Sequence, residues 1–88
     1  MMKAYALKMK HLSNNQTYYL ANEGNCWIFN DPDRMLDILF LGIKGKKYIL
    51  KQAQNPSKDE KFVLEQYEIT KKGETPIIKK EAKKWQKS

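Results

Sequence analysis

The chain has 88 residues, a net charge of +7 and a hydrophobic fraction of 41%. That length supports one small domain, and that composition suits a folded globule rather than a disordered chain. Its longest apolar run, Ile38-Leu39-Phe40-Leu41, is far shorter than the roughly 18–20 residues of a bilayer span. The opening MMKAYALKMK lacks the continuous apolar stretch of a signal peptide. A lone Cys26 cannot form an internal disulfide. Together these features predict a cytoplasmic protein with no membrane span.

Tyr5, Leu7 and Met9 alternate with Ala6, Lys8 and Lys10, the period of a half-buried strand. HLSNNQ at 11–16 is turn-rich and ends it. TYYLAN at 17–22 and CWIF at 26–29 are β-prone, and Glu23-Gly24-Asn25 between them reads as a hairpin turn. These three strands are expected to form a meander. NDPDRMLDILFLG at 30–42 then carries helix signals: Asp31 as N-cap, Pro32 at the first position and Gly42 to close the end. On a helical wheel Met35, Leu36, Ile38, Leu39 and Phe40 share one arc, with Asp33, Arg34 and Asp37 outward. KKYILKQA at 46–53 and KFVLEQYEIT at 61–70 read as a hairpin of strands around the loop NPSKD at 55–59. A rival segmentation makes 38–41 a strand and 44–54 the main helix. It would place Gly45 inside that helix at a cost of about 1 kcal/mol, and so the first segmentation is preferred.

The expected fold is therefore α+β: an antiparallel sheet of four to five strands, one core helix, and a basic C-terminal helix or tail. Residues 1–74 form the α+β domain and 75–88 a separate basic amphipathic segment. Charge supports that division. Residues 1–70 carry ten Lys/Arg and eight Asp/Glu, whereas 71–88 carry seven Lys and two Glu. TPIIKKEAKKWQKS has a helix start in Thr75-Pro76. As a helix it would gather Ile77, Ile78, Ala82 and Trp85 on one side, with Lys79, Lys80, Lys83, Lys84 and Lys87 on the other. A helix of about 13 residues is marginal alone and needs a surface to cover.

No catalytic, cofactor or metal site is expected. One cysteine and one histidine cannot supply the roughly four ligands of a zinc site. His11 sits in a lysine-rich turn without a nucleophilic signature, and no phosphate-cradling glycine motif occurs. Asp31, Asp33 and Asp37 read as capping and solvated carboxylates, and Cys26 with Trp27 as strand packing. Lys8, Lys10, Lys44, Lys46 and Lys47 with Tyr18 and Tyr19 could contact a single strand by phosphate pairing and stacking, but ordinary sheet lysines and core tyrosines account for them. Trp85 is the strongest anchor, since tryptophan is frequent in binding hot spots. Partner binding is accordingly assigned to Trp85, Ile77, Ile78, Lys79, Lys80, Lys83 and Lys84.

In length and in its Lys- and Asn-rich composition, the chain resembles the small accessory proteins of phages and other mobile elements. The resemblance implies a non-enzymatic protein that binds, and thereby blocks or redirects, a host protein such as a defence nuclease or nucleic-acid-handling factor. The expected partner is thus a protein, with a second copy of the chain as another candidate. The alternative reading is a nucleic-acid-binding regulator that uses the Lys-rich C-terminal segment.

Overall fold

The computed structural model describes residues 2–24, 26–29 and 31–85, with residues 82–85 described by backbone alone. The first strand, β1 (Met2–His11), is central. Along one edge it pairs over its whole length with β5 (Glu60–Lys72). Along the other, its C-terminal half pairs with β2 (Gln16–Leu20) and its residues Ala4 and Tyr5 with the two-residue β4 (Phe40–Leu41). β3 (Trp27–Phe29) lies outside β2, and β6 (Thr75–Trp85) outside β5. All pairings are antiparallel. The expected meander of the first three strands is present.

Side-chain alternation gives this sheet two buried faces. On one, Ala4 and Ala6 of β1 join Tyr19, Tyr67, Ile38 and Leu39. On the other, Tyr5 and Leu7 join Leu20, Leu64, Ile49 and Ala53. A 3-10 helix (Pro32–Ile38) covers the first face and the helix α1 (Gly42–Gln52) covers the second. β4 carries the chain between them. Leu39, just before it, packs on the 3-10 face, while Phe40 packs on the α1 face.

Three expectations are corrected. Asp31 does cap a helix at Pro32, its carboxylate accepting from the Asp33 backbone N–H at 2.9 Å. That helix is a 3-10 turn ending at Ile38, however, and not an α-helix running to Gly42. Second, 46–53 is not a strand: the main helix is 42–52, close to the rival segmentation. The cost assigned to Gly45 was outweighed by contact. A Cβ there would stand 2.5 Å from the Phe40 carbonyl carbon, so glycine alone lets α1 lie this close to β4. Third, residues 75–85 form a strand and not a helix. Lys72 pairs with Thr75 around Gly73-Glu74, and Gly73 has φ +66°. Glycine first in a two-residue loop is a hairpin signature. β5 offers a long unsatisfied edge, and its backbone groups decide the issue over a helix that is marginal alone.

Candidate binding surface

On the 3-10 face, Glu65 of β5 is only 6% exposed. Its carboxylate accepts from the Tyr19 hydroxyl at 2.8 Å and the Tyr67 hydroxyl at 3.0 Å, and pairs with the Lys80 ammonium at 2.6 Å. Tyr19 belongs to β2, so it must reach across β1 to a residue on β5. Ala6 pairs with Glu65 and has no side chain beyond Cβ, which leaves the path over β1 open. Burial alone would push the Glu65 carboxyl up. The Lys80 ammonium and the two hydroxyls outweigh it and hold the carboxyl below its ordinary range. Burial, reinforced by the neighbouring carboxylate, pushes both tyrosine hydroxyls well above theirs. Every group in the hub is paired as a structural element would require.

Asn22 performs a similar task at the end of β2. Its side-chain amide donates to the Leu36 and Leu39 carbonyls, each at 2.8 Å, and its backbone N–H donates to the Asp37 carbonyl at 2.7 Å. These contacts satisfy the carbonyls at the end of the 3-10 helix and tie that end to β2. Between the 3-10 helix and the sheet opens a groove of about 610 Å³ lined by Met2, Leu36, Leu39, Leu41, Ile69 and Pro76 among others. Leu36 and Leu41 are more than half exposed, at 55% and 51%. The groove adjoins the start of β6, whose outer edge has no strand partner among the described residues.

The C-terminal residues singled out in the sequence divide differently from the wheel. In a strand, neighbours point to opposite faces. Ile78 is half-buried against the 3-10-face core, opposite Ile69, whereas Ile77 is exposed opposite Thr70. Lys80 reaches the Glu65 hub, and Lys79 is exposed opposite Glu68. Lys84 pairs through its backbone with Glu65 and Trp85 with Leu64, while the side chains of Lys83, Lys84 and Trp85 lie outside the described residues. Lys87 falls outside them entirely.

The remaining candidates have local roles. His11 Nδ1, at the end of β1, and Ser13 Oγ, in the turn that follows, lie 2.8 Å apart. Asp37 forms a surface pair with Arg34 at 3.0 Å. Tyr19 is core, as expected, but Cys26 is exposed rather than packed. Among the described residues no cluster of three or more potential metal ligands occurs, and no helix is long and apolar enough to cross a membrane. Comparison with protein-family models, curated proteins and solved structures found no match.

Sequence reasoning missed the groove. It joins Met2, Asn22, Leu36 and Pro76, residues far apart in the chain. The usable signal was Leu36 beside Asp37 and Arg34: an apolar residue that an α-helical wheel buries but a 3-10 turn exposes.

Proposed function

We propose that this is a non-catalytic binding protein that engages an extended, acidic segment of a partner protein at the β6 edge. The observation that supports this most is the apolar groove opening beside that edge. At about 610 Å³ it falls within the size range of small-ligand pockets, and it would take one apolar anchor side chain. A partner strand could add its backbone to β6 while its acidic residues meet Lys79 and Lys71, and its anchor enters between Leu36 and Ile69. Lys79 disfavours a second copy of β6 in any register that sets it against a lysine. The likeness to phage accessory proteins suggests a host protein as the target and blockade as the mode of action.

Selection of extended peptides from a random displayed library tests the proposal. Enriched peptides should carry acidic residues around an apolar anchor, and their NMR shift changes should map to Met2, Leu36, Ile69 and residues 76–80. Leu36→Ser should weaken them about tenfold without lowering the melting temperature. Enriched peptides that map to another surface would overturn the assignment.

A further inference from the structure

The α1 face carries a second surface, remote from the groove by its place on the sheet. Past the C-terminal end of α1 the face is not covered by a helix, and four aromatic side chains occupy it. Trp27 lies flat against Phe62, with ring centroids 6.0 Å apart and planes within 6°. Phe29 lies beside Tyr18 at 5.1 Å. Phe29 is 62% exposed and Trp27 37%. Large aromatic rings on a three-residue edge strand need an occupant to justify their exposure to water.

Charge on the same side of the sheet indicates which occupant. From Gly42 to Lys58 the chain contains five lysines and no acidic residue. Lys46 turns inward, its ammonium 5.7 Å from the centre of the Tyr5 ring. Lys44, Lys47 and Lys51 are exposed and spaced three and four residues apart, so they form one stripe along α1. Lys51 suits the negative end of the helix, but the start of the stripe does not. α1 has no side-chain N-cap and no acid in its first turn, and Lys44 faces the positive end of the dipole. Local rules are broken most often where a site requires it.

We propose that this face binds single-stranded nucleic acid, with bases stacking on Trp27 and Phe29 and phosphates following Lys44, Lys47 and Lys51. The combination of flat aromatic platforms and a cationic track on the same side of the molecule is the general chemistry of single-strand recognition. Stacking tolerates any base, so binding has little sequence preference. The site is distinct from the β6 edge and does not depend on it.

The test is fluorescence anisotropy of labelled oligothymidine across a salt series, with thermal melts of every variant. Wild-type affinity should fall with salt with a logarithmic slope of about −2, given about −0.7 for each single-strand phosphate contacted. Phe29→Ala should weaken binding about tenfold with the slope retained. The triple change of Lys44, Lys47 and Lys51 to Gln should flatten the slope. Changing Lys72 and Lys79 together to Gln, which leaves the Glu65 hub intact, should alter neither. Absence of oligothymidine binding would overturn the proposal. So would loss confined to the Lys72 and Lys79 variant, or preference for duplex over single strand. Self-association of the free protein that Phe29→Ala abolishes would show instead that a second copy covers the aromatics.

Discussion

The two faces of this sheet are held by different means. The α1 face is packed by size: Leu7 and Ile49 have no exposed surface, and Leu20, Leu64 and Ala53 complete an apolar layer under a helix. The 3-10 face has small residues at its centre, Ala4 and Ala6, and a polar hub above them. A seven-residue 3-10 turn covers less than an eleven-residue helix. The hydrogen bonds of Glu65 and Asn22 hold together what apolar burial alone does not. The comparison teaches that a thin cover is compatible with a defined fold when its polar groups are fully paired. It also explains why the groove lies on this side.

The largest effect should come from the apolar face. Ile49→Ala should cost about 2–5 kcal/mol, the range for truncating a buried aliphatic side chain. A chemical denaturation series measures it, and a cost below 1 kcal/mol, about the value of one exposed contact, would mean that α1 is not anchored there. Next comes the hub. Glu65→Ala should cost about 2–3 kcal/mol, less than the loss of one partner of a fully buried ion pair because Lys80 can return to water. Ala6→Val should follow at about 1–3 kcal/mol, since the added methyls crowd the path of Tyr19 over β1. If Ala6→Val proved harmless while Glu65→Ala did not, Tyr19 would not be essential to the hub.

A pH series sharpens the contrast further. The folded Glu65 carboxyl titrates below the ordinary value of about 4.3. Its stabilising contribution is therefore fully present above that value and disappears as pH falls through the lower folded one. The melting temperature of wild type should drop more steeply between about pH 5 and pH 3 than that of Glu65→Gln. The tyrosines act at the other extreme. Their raised values favour the folded state below about pH 10, and this advantage is lost as pH rises further. The smallest effect is expected at Asp37→Ala, about 0.5 kcal/mol, because its pair with Arg34 is exposed. Equal losses at Asp37 and Ile49 would remove the distinction between surface and core.

Much of this architecture was legible where local chemistry decides alone. The period-two run at Tyr5, Leu7 and Met9, the turn at 12–15 and the Asp31-Pro32 start all appear where the residues place them. Legibility failed where a distant contact decides. Gly45 looked like a helix breaker until Phe40 was placed against it. Thr75-Pro76 looked like a helix start, yet the same residues open a strand once β5 offers its edge. Ile77 and Ile78 then point to opposite faces rather than one. The Glu65 hub could not be read at all, since nothing local marks a glutamate in an alternating strand as buried. The lysines of the C-terminal segment were legible as charge, but that Lys79 and Lys80 stand on an outer strand was not, because the sheet sets that place.

The position of β1 has a consequence for synthesis. It is made before all of its strand partners, and the longest of them, β5, comes after β2 and β4: His11 pairs with Glu60 and Met2 with Ile69. A nascent chain that has reached α1 holds β1 with only β2 and β4 along one side. Its other edge, with the backbone groups meant for β5, remains open to solvent or to a chaperone. Topology of this kind slows folding and prolongs the exposure of an adhesive intermediate. Translation itself therefore leaves the central strand without its longest partner until β5 has been added.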